Sequence, residues 1–426
     1  MIVYKFGGAS IKDAASVKKM VQIAQTTQEQ IIIVASAMGK TTNKLENILN
    51  LWFDRQNFDN ELKNLIDYHQ EIIAELFENT IPGNLNSLYG DLLDTLRSAP
   101  SLDYNYEYDR IVSFGELFST KIISAYFNRL KKLTVRFVDI RKVIITDRNF
   151  SNASIIYDLT KRFALETFTF KEASVYITQG FIGGSTNNQT TTLGREGSDY
   201  TAAILANVCN AQKVVVWKDV PGIMNADPAW MPDAQKIETL TYDEAIELTY
   251  YGAKVIHPKT IKPIQEKAIP LWVKSFLKPE SSGTLISGTS ASQYEKPVYI
   301  RKCNQMLISV KPQQPGFISQ NDISALFELI TDLQVTVHLT QMSAATFTIC
   351  IDHKKEIAKA IVGKLQKHFH VRYNTNTDLI TIRNYTQESI ALINKQRKML
   401  IEQKTRKTAQ IVSIKKEDTD PAMEKI

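Results

Sequence analysis

Residues 192–200 (TLGREGSDY) hold the densest group of chemically useful side chains in the sequence, with a cation, two anions and hydroxyls among glycines. The apolar stretch 200–208 that follows predicts a helix. Anions bind readily where a polar loop opens a helix, because free N–H groups and the positive end of the helix dipole converge there. Arg195 can hold a carboxylate through two hydrogen bonds, Ser198 can donate a hydroxyl, and Asp199 can orient a lysine or bind an amine. A surface cluster of ion pairs at a helix start is the alternative.

A second polar loop, residues 5–10 (KFGGAS), follows directly after the first apolar run. Gly7 and Gly8 let backbone amides approach a phosphate, and Lys5 at the end of the strand can offset the phosphate charge. An ordinary turn is the alternative for so short a pattern. Taken together with residues 192–200, the loop predicts a kinase-like site for a small charged metabolite.

The elements that must position these loops alternate between strands and helices. Strand-like runs occur at residues 2–6, 31–35, 135–138, 174–178, 213–217 and 271–274. Helices are expected from residue 13 onward, across much of 43–97, after the capping pair Thr241 and Glu244, and after His257-Pro258. This order predicts an α/β fold in which a mostly parallel sheet lies between helices.

Four polar loops follow strands of this predicted sheet, at residues 5–10, 36–43, 179–185 and 218–227. In open α/β sheets, ligands bind beyond the carboxyl ends of the strands. We therefore expect the four loops to converge on one site.

Patterns of other nucleotide-binding folds are absent from the sequence. Gly39-Lys40-Thr41 resembles the end of a P-loop, but Val34 stands where that pattern needs its first glycine. No G-x-G-x-x-G sequence follows a strand, which argues against a dinucleotide-binding domain. The three cysteines are too widely spaced for a disulfide framework or a metal cluster, so no metal-ligating residue is predicted.

The composition is that of an ordinary globular protein, with 43% apolar and 23% charged residues among 426. This length predicts two or three domains. Part of the net charge of +6 (51 − 45) lies near the C-terminus, without aromatic residues for base stacking. We expect no nucleic-acid or membrane partner, because the basic run fits a solvated helix face followed by a strand. No leader and no run of ~20 apolar residues are evident, so a cytoplasmic protein is expected.

Residues 288–297 are the most linker-like stretch and predict a boundary. We expect one domain over residues 1–290 and another region over residues 298–426. In the second region, strands are expected at residues 306–310, 335–339, 346–351, 379–382 and 409–414, and helices at 321–331, 356–369 and 388–403. This order predicts two small α+β units, the second of them short.

Seven short motifs occur in the order and at the spacing of the aspartate kinase family, which the chain resembles over residues 1–290. They are YKFGG (4–8), SAMGKTTN (36–43), SFGEL (113–117), QGFIG (179–183), TLGREGSDY (192–200), KDVPG (218–222) and YGAKVIHP (251–258). The resemblance implies an amino-acid-kinase (carbamate-kinase-like) domain followed by two regulatory ACT domains. Because the edges of ACT domains commonly pair between chains, it also implies a homodimer.

The resemblance further implies the reaction. Members of the family use ATP and Mg²⁺ to phosphorylate the side-chain carboxylate of L-aspartate, and 4-phospho-L-aspartate enters the synthesis of lysine, threonine and methionine. A carboxylate is already a nucleophile, so the transfer needs no general base. It needs in-line positioning and neutralisation of the charge on the moving group. ACT domains imply an amino-acid feedback effector, which the sequence does not identify.

Carried over motif by motif, the resemblance assigns roles to single residues. The expected catalytic residues are Lys5, which stabilises the transferring phosphoryl group, and Asp199, which organises the lysines around it. The expected aspartate ligands are Thr42, Glu116 against the ammonium group, Arg195 against the α-carboxylate, and Ser198. The expected nucleotide ligands are Lys5, Gly7, Gly8, Gly183, Lys218, Asp219 and Lys254.

Some positions depart from the family pattern. Lys218 replaces a threonine, Glu196 replaces a common glycine, and Met224 and Ala229 stand where tyrosine and arginine are frequent. Two alternatives follow, namely an amino-acid kinase for acetylglutamate, glutamate or UMP, and a non-catalytic amino-acid sensor. Glu116 and the ACT-like region argue against the first, and the intact catalytic motifs argue against the second.

Overall fold

A computed structural model describes residues 1–78, 80–253, 256–288, 294–314 and 316–416. The described residues form two compact units. The first comprises Met1–Ile223, Lys236–Ile246 and Lys254–Gln293, and the second comprises Met224–Gln235, Glu247–Ala253 and Tyr294–Ile426. Half of the predicted linker, residues 289–293, lies outside the described residues. None of the helices in the described part of the chain combines the length and the apolar character that crossing a membrane requires.

The first unit is built on an eight-stranded sheet, whose strands are numbered along the chain. In spatial order they are β3 (Val135–Val138), β5 (Val175–Gln179), β2 (Ile31–Ala35), β1 (Ile2–Phe6), β8 (Val214–Lys218), β10 (Leu271–Ser275), β11 (Thr284–Ser287) and β9 (Thr239–Thr241). Neighbouring strands run parallel except for β10 and β11. The mostly parallel sheet predicted from the sequence is confirmed.

The central strands β1 and β2 are apolar except for Lys5 near the end of β1. Every residue of β1 and β2 is buried, and both strands are rich in β-branched side chains. A continuous apolar run, rather than an alternating one, is typical of parallel strands whose two faces are both covered. Helices provide that cover, since α6 (Phe114–Leu130) packs against β2, β3 and β5, while α8 (Gly197–Val208) packs against β1, β2 and β8.

Three helices begin where the sequence predicts, namely α1 (Ala14–Gln25) after Asp13, α9 (Tyr242–Tyr250) after Thr241 and α10 (Pro258–Glu266) after His257. Asp13 caps α1 by accepting a hydrogen bond from the Ser16 amide at 2.7 Å. The hydroxyl of Thr241 accepts from the Glu244 amide at 3.2 Å, and the Glu244 carboxylate accepts from the Thr241 amide at 2.9 Å, as the capping box predicts. The remaining helices are α2 (Thr41–Phe53), α3 (Asp59–Phe77), α4 (Gly90–Arg97), α5 (Tyr104–Val112) and α7 (Tyr157–Thr167).

A three-stranded sheet contains the two strands that the chain forms between β5 and α8. It consists of β4 (Ile145–Thr146), β6 (Ile182–Ser185) and β7 (Thr190–Thr192), and β6 and β7 form an antiparallel hairpin. The chain leaves β7 at Thr192, passes through the polar loop and enters α8 at Gly197. The small sheet therefore determines where that loop starts.

The second unit contains a six-stranded antiparallel sheet with three helices. In spatial order its strands are β13 (Val337–Met342), β14 (Phe347–Asp352), β12 (Val298–Pro312), β15 (Phe369–Arg383), β17 (Thr408–Lys415) and β16 (Arg397–Lys404). The helices are α11 (Gln320–Asp332), α12 (Lys355–Leu365) and α13 (Gln387–Gln396).

Among the described residues, three apolar cores pack on this sheet. One of them, which includes Leu307, Leu379 and Val412, contains residues from both parts of the sheet, whereas the other two lie at different parts of its two longest strands. One of these two joins the later part of β12 to α11 and α12 and includes Ile308, Leu326 and Ile361. The other joins the later part of β15 to α13 and includes Ile382 and Ile393. The register between β12 and β15 shifts between Lys302 and Leu307, which separates the sheet into two α+β halves.

One prediction in this unit is wrong, and another gives only part of its element. The expected helix 388–403 ends at Gln396, and Arg397–Lys404 forms β16 instead. The side chain of Arg397 is buried, donating to the hydroxyl of Ser413 at 2.8 Å and to Asp378. This burial and the pairing of β16 with β17 outweigh the local helical pattern. In addition, the expected strand 379–382 is the end of the much longer β15.

Candidate functional site

A cavity of about 570 Å³ opens at the carboxyl ends of the parallel strands of the first unit. It is lined by Lys5 at the end of β1, Ser36 after β2, Phe181 after β5 and Lys218 at the end of β8. The convergence of the four loops predicted from the sequence is therefore confirmed. The cavity brings together both predicted catalytic residues, all four predicted substrate ligands and two predicted nucleotide ligands, of which Lys5 is also catalytic. These residues are Lys5, Asp199, Thr42, Glu116, Arg195, Ser198 and Lys218.

Lys5 and Asp199 form a buried ion pair in this cavity. The Nζ atom of Lys5 lies 2.7 Å from a carboxylate oxygen of Asp199, and the side chains are only 10% and 4% exposed. The Nζ atom of Lys218 lies 4.0 Å from the other oxygen. Burial alone would raise the pKa of Asp199, but the charges of Lys5 and Lys218 outweigh it and lower that pKa. Asp199 is thus an anion that holds two cations in the cavity.

Glu116 lines the same cavity and is fully buried on α6. One of its oxygens accepts a hydrogen bond from the Ala37 amide at 3.1 Å, while Oε2 has no partner among the described residues. Burial raises the pKa of Glu116 to about 8, although the Ala37 amide and the charge of Lys5 partly oppose the rise. The side chain is therefore mostly protonated at neutral pH until a cation approaches it.

Two helices direct their N-termini at the cavity. Thr42 lies in the first turn of α2, and Ser198 and Asp199 lie in the first turn of α8. The unpaired N–H groups and the positive dipole ends favour negative charge at both places. Glu196, just before α8, has a left-handed backbone (φ 55°), which costs on the order of 1–2 kcal/mol for a residue with a side chain.

Close packing explains several of the glycines around the cavity. A Cβ atom at Gly180 would lie 2.5 Å from Cβ of Ser198, so a glycine there allows α8 to approach. A Cβ atom at Gly8 would lie 2.7 Å from the carbonyl oxygens of Ala37 and Gly39. The Gly39 amide also donates a hydrogen bond to the Gly8 carbonyl at 3.0 Å. Residues 5–10 and 36–43 are therefore interlocked loops.

Among the described residues, the other predicted nucleotide ligands do not line the cavity. Gly7 lies beside it, since a Cβ atom there would be 3.4 Å from Nζ of Lys5. Gly183 lies buried in β6 against Ile144 and Thr146, which gives a packing reason for a glycine. Asp219 follows β8 and is exposed, and Lys254 lies outside the described residues.

Several residues of the cavity have no counterpart in the motifs. Tyr108 donates a hydrogen bond to Glu46 at 2.8 Å, and both side chains line the cavity, as does Ser151. Asp109, the neighbour of Tyr108, is buried and accepts hydrogen bonds from Ser151 and Thr192. The only sequence signal of Tyr108 and Asp109 is their position just before the SFGEL motif, and no recognisable pattern marks Glu46 or Ser151.

The buried side chain of His69 contacts the first turn of α2. Burial lowers the pKa of His69 to about 4, so the ring is neutral. Its Nδ1 donates to the Leu65 carbonyl at 2.8 Å, which leaves Nε2 to face the Thr41 hydroxyl at 3.4 Å. The ring thus helps to fix Thr41, the neighbour of the predicted substrate ligand Thr42.

Comparisons with known proteins agree with this arrangement. The sequence matches the amino acid kinase family over residues 1–275. It is 31% identical to the lysine-sensitive aspartokinase 3 of Escherichia coli, with 80% of this chain and 78% of the relative covered, and 31% identical to the chloroplastic aspartokinase 2 of Arabidopsis thaliana, with 86% and 69% covered.

Solved structures show the same similarity. A crystal structure of the E. coli aspartokinase III in complex with lysine and aspartate superposes with a TM-score of 0.81 at 25% identity, covering 98% of this chain and 96% of the other. The family match, the similar sequences and the similar structure agree with one another. The chain belongs to the amino acid kinase family and, within that family, to the aspartokinases.

Proposed function

We propose that this chain transfers the γ-phosphoryl group of ATP to the side-chain carboxylate of L-aspartate, forming 4-phospho-L-aspartate. The observation that carries the proposal is the buried Lys5–Asp199 pair, which lies in the same cavity as Glu116 and Arg195. A group that binds a phosphate and groups that bind an amino acid thus face one space. The aspartokinase relatives, at 31% identity, support the same reaction.

The acceptor side of the cavity suits an α-amino acid. Arg195 is exposed at the rim, where its guanidinium can hold the α-carboxylate bidentately. Glu116 is buried and offers the free Oε2 to the ammonium group, whose charge would favour the ionised carboxylate. The hydroxyls of Thr42 and Ser198 supply neutral hydrogen bonds at the two helix N-termini. The side-chain carboxylate of the substrate would then attack without a general base.

The donor side supplies positive charge. Lys5 and Lys218 lie around Asp199, and Lys5 is the cation that would stabilise the transferring phosphoryl group. Because Asp199 already neutralises part of their charge and holds their positions, the cations need little reorganisation during the transfer. Gly7, Gly8, Gly183, Asp219 and Lys254 remain proposed nucleotide ligands on the basis of the motifs.

Mg²⁺ would come to the site with the nucleotide. The described residues contain no cluster of three or more His, Cys, Asp or Glu side chains able to hold a metal ion. This fits Mg²⁺, which is commonly held by one or two carboxylates together with substrate phosphates and water. Glu196 lines the cavity with a buried Oε2 that has no partner in the described part of the chain, and it would be the available carboxylate. When bound, the ion would neutralise charge on the phosphates.

The second unit would regulate the first. Its two α+β halves fit a pair of ACT domains, the proposed binding place of an amino-acid effector, and the proposed assembly is a homodimer. The E. coli aspartokinase III structure contains lysine, so lysine is the first effector to test, followed by threonine and methionine. A titration of activity against the three amino acids would identify the effector, and sedimentation would determine the assembly.

The reaction can be tested with the purified full-length chain, ATP, MgCl₂ and hydroxylamine, which converts an acyl phosphate into a coloured hydroxamate. We expect hydroxamate with L-aspartate and none with L-glutamate or N-acetylglutamate. Product formed only with one of the other two acids would assign a different amino-acid kinase. No product with any acid, from a folded protein, would favour a non-catalytic sensor.

A further inference from the structure

Asp109 joins two loops that form one wall of the cavity. Its carboxylate accepts from the Thr192 amide at 2.9 Å and from the Thr192 hydroxyl at 2.6 Å. Both of its oxygens also lie 3.1 Å from the Ser151 amide. Asp109 therefore holds Ser151, which lines the cavity, and the last residue of β7 before the loop that carries Arg195.

The Asp109 carboxylate is buried without a cationic partner. Its side chain is fully shielded from solvent, and among the described residues no lysine, arginine or histidine forms an ion pair with it. The two amides and the hydroxyl therefore provide its main stabilisation. A buried charge is normally costly, and burial raises the pKa of Asp109 to about 6 despite the hydrogen bonds from Thr192 and Ser151. Such a costly arrangement suggests that the position of the two loops matters.

The two loops also depend on each other and contain unfavourable backbone conformations. The Ala153 amide donates to the Thr192 carbonyl at 2.9 Å. A Cβ atom at Gly194 would lie 2.8 Å from Oδ1 of Asn152. Ser151 and Glu196 have positive φ angles of 66° and 55°. Strained residues keep such conformations only where their surroundings hold them in place, and Asp109 is the side chain that contacts both loops.

We propose that Asp109 is a positioning residue that holds residues 151–153 and 192–196 in the geometry that Arg195 needs to bind the α-carboxylate of the substrate. Asp109 acts through these loops and does not line the cavity itself. The inference rests on the proposed function for its kinetic consequence, whereas the contact between Asp109 and the loops can be tested without any activity.

Glu107 offers a matched control on the same helix. It is also a fully buried carboxylate that accepts from a backbone amide, that of Ser101, at 2.9 Å. Its other oxygen pairs with Arg110 at 2.8 Å, so it contacts neither loop. Glu107→Gln and Asp109→Asn therefore make the same chemical change at two buried sites, of which only one supports the cavity wall.

The first measurement is the hydroxamate assay with both variants. In Asp109→Asn, the side-chain amide would face the backbone N–H donors of Ser151 and Thr192, which should displace the two loops. The KM for aspartate should therefore rise roughly tenfold or more, with the KM for ATP nearly unchanged. Glu107→Gln should leave both KM values near those of the parent. Equal effects of the two variants, or a larger change in the KM for ATP, would overturn the proposal.

The second measurement is hydrogen exchange in the peptides that cover residues 148–156 and 190–199. Asp109→Asn should speed exchange in both peptides, and Glu107→Gln in neither. If Asp109→Asn fails to fold, Thr192→Val removes only the hydroxyl donor and should produce the same pattern at smaller size. Unchanged exchange in the folded variant would overturn the positioning role even if the chain did not phosphorylate aspartate.

Discussion

The ammonium group of Lys5 lies 2.7 Å from the carboxylate of Asp199, and both side chains are buried. One belongs to the first strand and the other to the first turn of α8, so the pair links the centre of the sheet to the loop that carries Arg195. Because water is largely excluded, removal of either partner would leave a buried charge without its nearest counter-ion.

Lys5→Met is therefore expected to affect both catalysis and folding. Loss of the cation should lower kcat at least a hundredfold, about 2.7 kcal/mol of transition-state stabilisation. It should also lower the free energy of unfolding by roughly 3–5 kcal/mol, because Asp199 would be left buried with Lys218 at 4.0 Å as its remaining cation. The hydroxamate assay and urea unfolding measure the two effects.

The double variant Lys5→Met/Asp199→Asn separates these effects. With the unpaired carboxylate removed, much of the lost stability should return, while kcat should stay low. A double variant that recovered both stability and turnover would show that Lys5 serves the fold alone.

Glu116 predicts a dependence of substrate affinity on pH. Its pKa of about 8 means that the side chain is mostly protonated below that pH. Binding the ammonium group of aspartate needs the ionised form, so a proton must be released on binding. The KM for aspartate should fall as the pH rises from 6 to 8, by up to about tenfold per unit, and then level off.

The matched variant for this prediction is Glu116→Gln, which keeps the shape and the hydrogen bond from Ala37 but cannot ionise. Its KM for aspartate should be high and nearly independent of pH over the same range. A parent enzyme with a flat profile would contradict the proposed contact between Glu116 and the ammonium group.

Arg195 predicts an effect on substrate binding without an effect on stability. Its side chain is exposed, so Arg195→Ala should leave the thermal midpoint of unfolding unchanged. Loss of a bidentate contact to the α-carboxylate should raise the KM for aspartate by about ten- to a hundredfold. Arg195→Lys should recover only part of this, since an ammonium group cannot form the two parallel hydrogen bonds. Arg162→Ala, at an exposed ion pair on α7, is the control and should change neither quantity.

Local patterns predict a large part of the first unit. Strands such as 2–6 and 31–35 are short, mostly apolar runs, and loops follow each of them, so the position of the cavity at the carboxyl ends could be inferred. The interlocking of Gly8 with Ala37 and Gly39 could not, because it depends on how the two loops approach each other. The burial of the Lys5–Asp199 pair could not be inferred either, because it depends on how α8 packs against the sheet.

Long-range contacts account for what the sequence did not reveal. Asp109 lies in an ordinary helical stretch, and its partners Ser151 and Thr192 are distant in the chain. Residues 388–403 have the spacing of one helix, yet Arg397 turns the chain into a strand because Asp378 and Ser413 receive its side chain. In both cases the hydrogen-bond partners of a buried polar side chain, Asp109 or Arg397, are distant in the sequence and come together only in the folded chain.

Asp378 predicts the stability of the second unit. Its buried carboxylate pairs with Arg301 at 2.7 Å and with Arg397, the first residue of β16. Asp378→Ala would leave two guanidinium groups close together without their anion, which should cost roughly 3–5 kcal/mol. Urea unfolding should show the loss, and hydrogen exchange should rise first in residues 397–404, since Arg397 would lose the partner that holds the strand.

The exposed ion pair between Asp94 and Arg97 serves as the control for Asp378→Ala. Asp94 pairs with Arg97 at 2.8 Å, but both side chains are more than 70% exposed. Asp94→Ala should therefore change the free energy of unfolding by less than about 0.5 kcal/mol. If Asp378→Ala had an equally small effect, or if exchange in residues 397–404 stayed at the parent rate, pairing with β17 would suffice to hold β16. The burial of Arg397 would then be a consequence of the pairing between β16 and β17. It would not be the reason why α13 ends at Gln396.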